Sequence, residues 1–313
     1  MYYRPFRPGD EDAIANLFER CFDRPMPAGF WRWRFLDNPA GQGLVELAWD
    51  GQRLVGHYAV TCVPMKIGER VHPTGLSGTT MTDPDYRGQG LFTRLAMRVY
   101  DRMAEENWAV VWGFPNMNSH VGFVRDLGWL DVAEVPVLRA KVSRVSSPKG
   151  APFANQDVSQ LNNVENLLVD WMSDQTNAVE RSPEYLKWRY LDNPAEEYRM
   201  VLVPSLKRPQ GLVVYKKYMQ EFQIMELIEK PGSGCAPWLV MVVVDRARQQ
   251  GCESVGMWLG LYQRCHLPIE RMGFVSDAPV TYFGVKPTLN VGVERENLAY
   301  NKWWVSMGDS DVY

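Results

Sequence analysis

Residues 81–93 read MTDPDYRGQGLFT, and this stretch decides the fold. The pattern of residues 75–82 predicts a β-strand that runs into this stretch. The Asp-Pro pair at residues 83–84 marks a turn after the strand. An apolar stripe at helical spacing runs from Leu91 to Met103, which predicts a helix over residues 91–107, directly after the loop. The stretch therefore predicts a strand, a glycine-rich loop and a helix in immediate succession.

The loop between this strand and this helix has the chemistry of an anion site. Backbone N–H groups in the first turn of a helix have no partner within the helix and attract phosphate oxygens. Gly88 and Gly90 let the backbone come close to a bulky anion, and Arg87 adds a charged donor. The loop is neither a Walker A loop nor a G-x-G-x-x-G fingerprint. A glycine turn with a surface arginine is the structural alternative.

The remaining pattern predicts an α/β protein with a mixed (α+β) sheet. A meander of strands comes early, and a strand–helix–strand crossover follows it. Helical patterns cover residues 10–22, 27–36, 91–107, 120–127 and 182–191, and strand patterns cover residues 44–49, 54–60, 75–82, 108–114 and 130–142.

The sequence also contains an internal repeat of domain size. WRFLDNPA at residues 33–40 returns as WRYLDNPA at residues 188–195, with seven of the eight positions identical. Residues 114–129 align without gaps on residues 259–274. We therefore predict two copies of one fold, because two collinear matches make coincidence a weak explanation. The predicted limits are 1–143 for the first domain, 144–157 for a linker and 158–313 for the second domain.

Composition sets outer limits on function. Lys and Arg number 34 against 37 Asp and Glu in 313 residues, so the net charge of −3 gives no bulk attraction to nucleic acid. Five cysteines without C-x-x-C spacing argue against a disulfide framework and a thiolate zinc site, and no metal is expected. No apolar run approaches the length of a membrane span, and no signal peptide is visible. We expect a cytoplasmic protein with no nucleic-acid or membrane partner.

Residues 87–92, RGQGLF, resemble the R-x-x-G-x-G/A motif of the GNAT N-acyltransferases, with Phe92 in place of the final Gly or Ala. The approach to the loop, the crossover helix and the Leu-Gly-aromatic step at residues 127–129 are also typical of that superfamily. The resemblance covers residues 1–143. In the second copy, IEKPGSGC at residues 228–235 stands at the loop position without an arginine in register. The resemblance therefore implies two tandem GNAT-like domains, of which the second is degenerate and does not bind CoA.

The resemblance implies an acyl-CoA site at the first loop, with acetyl-CoA or 3-hydroxybutanoyl-CoA as cosubstrate. The backbone near Thr80 would hold the acyl carbonyl and stabilise the developing oxyanion. Asn116 or Asn118, after the next strand, would meet the pantetheine arm, and Asn118 is also a catalytic candidate. The cofactor-binding residues that the resemblance implies are Met81, Thr82, Arg87, Gly88, Gln89, Gly90, Leu91, Phe92 and Asn116.

The general acid and base are less defined. Many GNAT enzymes carry a Tyr on the helix after the Asn, but the corresponding position here is Val124. His120 is the imidazole near the predicted site, and histidine suits acid–base work on an amine or a thiol. A capping or structural histidine is the alternative, and a water relay could replace a dedicated base.

Two further features are candidates for substrate binding. Trp33 could stack on a base or a sugar, and Arg34 could hold a phosphate. Because the motif also occurs in the copy without a CoA loop, a packed helix end with an Arg–Asp bridge is the favoured interpretation. Near the end of the chain, Asp309 and Asp311 could orient a cationic amine or form a solvated acidic end.

The tandem layout and the Gly-Asp-Ser-Asp stretch near the end of the chain resemble bacterial nucleotide-sugar N-acyltransferases of O-antigen and lipopolysaccharide biosynthesis. The implied reaction is direct attack on acyl-CoA by the amine of a nucleotide-linked sugar, such as a dTDP-linked 3-amino-3,6-dideoxyhexose. Two alternatives stay open. One is a GNAT enzyme for another amine, such as an aminoglycoside, a peptide or an aminoacyl group, and the other is a non-catalytic CoA-binding module. The sequence also leaves oligomerisation open.

Overall fold

The structure is a computed structural model that describes residues 1–117, 119–150, 152–203, 208–289 and 298–310. The helices are α1 (Glu11–Phe22), α2 (Phe30–Phe35), α3 (Leu91–Glu105), α4 (Glu165–Ser173), α5 (Pro183–Leu186), α6 (Ala236–Gln249) and α7 (His266–Glu270). The strands are β1 (Tyr2–Pro5), β2 (Leu44–Asp50), β3 (Arg53–Cys62), β4 (Met65–Ile67), β5 (Arg70–His72), β6 (Gly75–Thr82), β7 (Val110–Gly113), β8 (Leu130–Lys141), β9 (Gln156–Val158), β10 (Asn177–Val179), β11 (Arg199–Val203), β12 (Gly211–Tyr218), β13 (Glu221–Glu229), β14 (Ser254–Met257) and β15 (Val275–Pro287).

A 12-stranded sheet holds both copies of the repeat, in the order β1-β2-β3-β6-β7-β15-β8-β14-β13-β12-β11-β9. The second half of this order repeats the first half in reverse, so a pseudo-twofold axis passes between β15 and β8. A small sheet of β10, β4 and β5 also joins the two copies, because β10 follows the linker and β4 precedes it. The mixed α/β fold predicted from the sequence is confirmed.

The two copies exchange their last strands. β15 pairs with β7, with Gly284 opposite Gly113, and β8 pairs with β14, with Ala140 opposite Val255. β8 and β15 also pair with each other along most of their length. Each copy therefore completes the sheet of the other, and the sheet has no break at the predicted linker. The domain limits stay a prediction.

The repeated Trp-Arg motifs meet at the pseudo-twofold axis. Trp33 Nε1 donates to the backbone carbonyl of Trp188 at 2.8 Å, and Trp188 Nε1 donates to the carbonyl of Trp33 at 2.9 Å. The two indole rings are stacked with centroids 4.9 Å apart. Buried indole N–H groups need acceptors, and the symmetric arrangement gives each ring one from the other copy.

Several local predictions agree with the structure. The strand predicted at residues 75–82 coincides with β6. The helix predicted at residues 182–191 begins as expected, because the Ser182 side chain accepts a hydrogen bond from the Tyr185 N–H and Pro183 takes the first turn. It continues as a π-helical turn at Lys187–Leu191. None of the helices in the described ranges is long and apolar enough to cross a membrane.

The predicted Arg–Asp bridge of the repeat is wrong in the second copy. Asp192 binds Lys187 Nζ at 2.6 Å, whereas Arg189 turns the other way and donates to the backbone carbonyls of Gly308 and Ser310. In the first copy, Asp37 lies 3.8 Å from Arg32, the counterpart of Lys187. Each aspartate therefore has a cation that lies one residue before the repeated tryptophan.

Candidate active site

Two parallel strands diverge at the centre of the first copy. β6 and β7 are paired only at Gly75–Val111 and Leu76–Trp112. Beyond these pairs the strands separate, and a fork opens at Ser77 on β6 and Gly113 on β7. The position of Gly113 is crowded, since a Cβ there would lie 3.2 Å from the Ser77 carbonyl oxygen. The fork exposes backbone groups along the edge of β6 to an extended ligand.

A bulge distorts β6 beside the fork. Against β3, the register shifts between the pairs His57–Met81 and Ala59–Gly78, and Thr79 has a φ of 55°. Trp31 Nε1 donates to His57 Nε2 at 3.1 Å, so the proton of His57 lies on Nδ1, which is 2.8 Å from the Thr79 carbonyl. Burial lowers the pKa of His57 to about 4. A neutral imidazole with fixed donor and acceptor sides therefore holds the bulge.

The loop after β6 is anchored by one buried carboxylate. Asp83 accepts hydrogen bonds from Arg20 Nε at 2.8 Å and from Arg53 Nη2 at 2.9 Å. It also accepts from the backbone N–H of Asp85. Burial opposes the charged form, but these donors outweigh it and lower the pKa of Asp83 below its ordinary value. The base of the loop is thus fixed while its tip stays exposed.

The tip of the loop opens onto the N-terminus of α3. Gly88 and Gly90 have φ values of 75° and 73°, in the left-handed region that glycine adopts without strain. No side chain caps α3, and the exposed side chain of Arg87 makes no hydrogen bond or ion pair with a described residue. Unpaired N–H groups, the helix dipole and Arg87 together fit a pyrophosphate.

In the corresponding loop of the second copy, a side chain of the protein occupies the position of the anion. Gly232 and Gly234 have φ values of 80° and 65°, as in the first loop. However, Glu229 accepts a hydrogen bond from the Ala236 N–H at 3.0 Å, at the start of α6. Burial raises the pKa of Glu229, against the hydrogen bonds from Ala236 and Ser233. A carboxyl group of the chain thus lies where a phosphate would bind.

A cleft of about 890 Å³ connects the fork to the second copy. The first wall of the cleft is formed by the bulge of β6, the first turn of α3 and the C-terminal end of β7. The two indoles at the axis also line it. Its second wall comes from α5, the π-helical turn, β12 and the chain end. The residues that bear on function are Trp33, Arg34, Ser77, Thr80, Phe92, Asn116, Arg189, Glu196, Tyr198, Lys216 and Ser310.

The cleft is rich in cations. Arg24, Arg34, Arg189 and Lys216 line it, whereas Glu196 is the single carboxylate that lines it among the described residues. Lys216 is buried, and its Nζ lies 3.2 Å from Glu196 and 5.7 Å from the centre of the Tyr198 ring. The balance of charge favours an anionic ligand in this part of the cleft.

The predicted site residues divide into those in the cleft wall and those outside it. Thr80, Phe92 and Asn116 lie in the wall, together with Trp33 and Arg34. Met81 is buried, and the Thr82 carbonyl accepts a hydrogen bond from Cys21 Sγ at 3.4 Å. The remaining predicted cofactor-binding residues, Arg87, Gly88, Gln89, Gly90 and Leu91, form the loop and the first turn of α3.

His120 lies outside the cleft wall. Its Nε2 is 2.8 Å from Asp131 Oδ1, and its ring stacks on Tyr282 of β15 with centroids 3.9 Å apart. Asp131 belongs to β8 and Tyr282 to β15, so both contacts hold the imidazole against the two exchanged strands. The role of His120 as the base stays a prediction, and Asn118 lies outside the described residues.

The chain end reaches the cleft, but its aspartate does not. Gly308 and Ser310 line the cleft, whereas Asp309 is buried and accepts from Arg181 Nη2 at 2.6 Å. Arg181 also pairs with the buried Glu226 at 3.0 Å. Asp309 therefore serves an internal ion cluster in this structure, and Asp311 lies outside the described residues. Across the described part of the chain, no group of three His, Cys, Asp or Glu could hold a metal ion.

Sequence reasoning missed Lys216, Tyr198 and His57. Glu196 and Tyr198 lie within three residues of the end of the WRYLDNPA motif. This short spacing indicated that both residues lie near Arg189 of the motif. His57 interrupts the otherwise apolar pattern of β3, and a polar residue within a buried strand indicates a specific partner. Lys216 gave no signal, because its burial depends on the fold of the second copy.

Comparisons with known proteins agree with this geometry. Residues 2–130 match the acetyltransferase (GNAT) domain family, and no curated protein matches the chain. A GCN5-related N-acetyltransferase of Anabaena variabilis has a similar structure, with a TM-score of 0.72 and 14% identity over 92% of this chain and 73% of that one. A GCN5-related N-acetyltransferase of Kribbella flavida gives 0.68 and 15%, over 92% and 72%. Eis1 of Mycobacterium abscessus gives 0.64 and 15%, over 92% and 74%.

At these identities the solved structures show a shared fold, which extends over both copies of the repeat. The family match adds the activity class for the copy that retains the exposed loop and the open fork. Residues 2–130 therefore match a GNAT acetyltransferase domain, and this match supports a GNAT-type acyltransferase activity for the first copy.

Proposed function

We propose that this enzyme transfers an acetyl or 3-hydroxybutanoyl group from acyl-CoA to the amine of a nucleotide-linked amino sugar, of the dTDP-linked 3-amino-3,6-dideoxyhexose class. One observation carries the proposal. A single cleft joins the fork of the first copy to a cationic wall that the second copy supplies. The donor and the acceptor would meet where these two surfaces adjoin.

The proposed binding site for acyl-CoA is the first loop together with the fork. Arg87 and the N–H groups from Gly88 to Phe92 would bind the pyrophosphate, and the open edge of β6 would pair with the pantetheine arm. Asn116 would meet that arm from β7. The filled anion site at Glu229 supports one CoA per chain, since a second CoA would have to displace a buried carboxyl group.

The proposed class of acceptor follows from the charges that line the cleft. A nucleotide sugar carries a diphosphate, which Arg34, Arg189 and Lys216 favour electrostatically. An aminoglycoside carries several positive charges, which the same side chains disfavour. The aromatic rings of Trp33 and Tyr198 offer faces for a base or a sugar. This contrast favours the nucleotide sugar over the aminoglycoside alternative.

The reaction would be a direct transfer. The free amine attacks the thioester carbonyl, so a C–N bond forms as the C–S bond breaks. The backbone N–H groups near Thr80 would stabilise the oxyanion. The proton that leaves the amine goes to a base, for which His120 or a water molecule is proposed, and the CoA thiolate gains a proton on release. Binding both substrates in one cleft supplies the orientation that this step needs.

The test is a thiol-release assay with the purified protein. Acetyl-CoA and 3-hydroxybutanoyl-CoA are each offered with dTDP-linked 3-amino sugars, aminoglycosides and short peptides. We expect rapid thiol release with a dTDP-amino sugar and none with the matching dTDP sugar that carries a hydroxyl in place of the amine. Turnover confined to aminoglycosides or peptides would overturn the acceptor assignment.

A further inference from the structure

The ammonium group of Lys216 lies at the part of the cleft that the second copy supplies. Its Nζ is 3.2 Å from Glu196 Oε2, 5.7 Å from the centre of the Tyr198 ring and 6.0 Å from the centre of the Tyr218 ring. All three of these neighbours line the cleft, as does Gln223, the partner of Lys216 in the pairing of β12 with β13. Contacts on several sides therefore place the nitrogen itself at the cleft wall.

This buried cation depends on one carboxylate. The Lys216 side chain is 4% exposed, and Glu196 is its single ion-pair partner within the described residues. A buried ammonium group without a partner is costly. The position beside Nζ must therefore be filled by negative charge, either from the chain or from a ligand.

Glu196 is held much less firmly than a structural carboxylate of this protein. Its side chain is 43% exposed, in the irregular segment between the π-helical turn and β11, and the ion pair with Lys216 is its one polar contact in the described structure. Glu226, by contrast, is fully buried and accepts hydrogen bonds from Arg181 and Tyr190. Ion pairs with an exposed partner contribute little free energy. Glu196 can therefore leave Lys216 without unfolding its surroundings.

A second cation adds to the positive charge of this wall. Arg189 is buried, and its hydrogen-bond acceptors are neutral groups, the Tyr198 hydroxyl and two backbone carbonyls near the chain end. Its guanidinium carbon lies 5.7 Å from the centre of the same Tyr198 ring that Lys216 approaches. Glu196 thus offsets one of the two positive charges beside Tyr198. An anion with more than one negative charge balances this wall better than the carboxylate does.

We propose that Glu196 occupies the phosphate position of the acceptor site, and that the diphosphate of the nucleotide-linked sugar displaces it from Lys216. The inference rests on the proposed function, which brings a nucleotide diphosphate into this cleft. Glu196 is then a specificity-determining residue. A ligand carboxylate would only exchange one carboxylate for another, whereas a diphosphate brings more charge and more acceptor oxygens to the same ammonium group.

The test is titration calorimetry with dTDP as the probe. CoA is present at a saturating concentration, so that the first loop is not available to the probe. We expect Glu196→Gln to bind dTDP about 5-fold more tightly than the unaltered protein, since the ligand no longer has to break an ion pair. Thymidine, which has no phosphate, should bind no more tightly to the variant than to the unaltered protein.

Two further variants separate displacement from a general effect of charge. Glu197→Gln makes the same change of charge one residue away, at an exposed side chain that pairs with Arg199, and it should bind dTDP like the unaltered protein. In a Lys216→Gln background, Glu196→Gln should no longer tighten binding, because the ammonium group for which the two anions compete is absent. Should Lys216→Gln fail to fold, Lys216→Met provides the same background.

The outcomes distinguish this inference from the proposed function. Equal or weaker dTDP binding by Glu196→Gln, equal tightening by Glu197→Gln, or tightening that persists without Lys216 would overturn the role of Glu196 and leave the proposed function intact. Failure of the unaltered protein to bind dTDP in the presence of CoA would overturn the nucleotide-linked acceptor, and the role of Glu196 with it.

Discussion

Trp33 and Trp188 each donate a hydrogen bond from the indole to the backbone carbonyl of the other, at 2.8 and 2.9 Å. Residues 155 positions apart in the sequence thus lie on the axis that relates the two copies. A motif that was a candidate for substrate binding joins the two copies. Trp33 and Trp188 both border the cleft, so the joint between the copies is also part of the cleft wall.

The indole pair should contribute measurably to stability. Trp33→Phe keeps most of the ring but leaves the Trp188 carbonyl without its donor, and we expect a loss of about 1–3 kcal/mol in the free energy of unfolding. Trp188→Phe should cost a similar amount. Trp49→Phe is the control, since Trp49 is equally buried and its Nε1 has no hydrogen-bond partner in the described chain. Equal urea midpoints for Trp33→Phe and Trp49→Phe would contradict the prediction.

The first loop should lose CoA through one added charge. Gly90→Asp places a carboxylate at the N-terminus of α3, where it repels the pyrophosphate, and we expect CoA binding to fall below detection by titration calorimetry. Gly90→Asn tests the shape without the charge and should retain weak binding, because Asn tolerates the left-handed φ of 73°. Gly234→Asp, in the second loop, should bind CoA like the unaltered protein. Retained affinity in Gly90→Asp would contradict the loop assignment.

His57 should make the fold sensitive to mild acid. Burial lowers its pKa from 6.5 to about 4, so the unfolded chain binds a proton first as the pH falls. Stability is then full above pH 6.5 and decreases between about pH 6.5 and 4, by on the order of 3 kcal/mol from this group. His57→Gln cannot titrate and should show a shallower decline in urea unfolding over that range. Parallel curves for both proteins would contradict the assignment.

Lys216 should matter for the acceptor and not for CoA. Lys216→Gln removes a buried positive charge from the cleft, and we expect the KM for a dTDP-amino sugar to rise about 10-fold, in line with a lost charge-assisted hydrogen bond. Lys217→Gln is the neighbouring control, because Lys217 is exposed. CoA affinity should be the same in all three proteins. A rise in KM that is equal in both variants would point to overall charge instead.

The first copy should not fold as a separate fragment. Residues 1–143 lack β15, which covers the open edge of β7, and they include β8, whose neighbours β14 and β15 would be missing. We expect this fragment to be aggregated or unfolded by circular dichroism and size-exclusion chromatography, because unpaired apolar strand edges associate. Mixing it with residues 144–313 during refolding should restore a soluble complex. A stable monomeric fragment would contradict the prediction.

The strand, loop and helix around residues 75–105 were predictable because their signals are local. Glycine at positive φ, a turn at Asp-Pro and an apolar stripe act within a few residues of one another. The repeat predicted two similar copies for the same reason. The exchange of β8 and β15 was not predictable, since identical motifs do not say which copy each last strand will join.

The candidate site shows the same limit. Thr80, Phe92 and Asn116 lie in the cleft wall, and sequence could point to them because each has a defined position relative to the loop motif. His57, Ser77 and Lys216 are defined by partners on other strands or by the second copy, and no sequence spacing leads to them. Asp309 was misplaced for a related reason. An acidic tail suggests solvent or a ligand, whereas its partner is Arg181, 128 residues earlier in the chain.

The exchanged strands give this chain the properties of a homodimer whose subunits have been fused. A dimer of identical subunits must keep both loops or neither, because one gene encodes both. Here each half has its own sequence but still depends on the other for a strand. The second half could therefore lose its phosphate site, which Glu229 now fills, and still keep the strand from the first half that its own sheet requires.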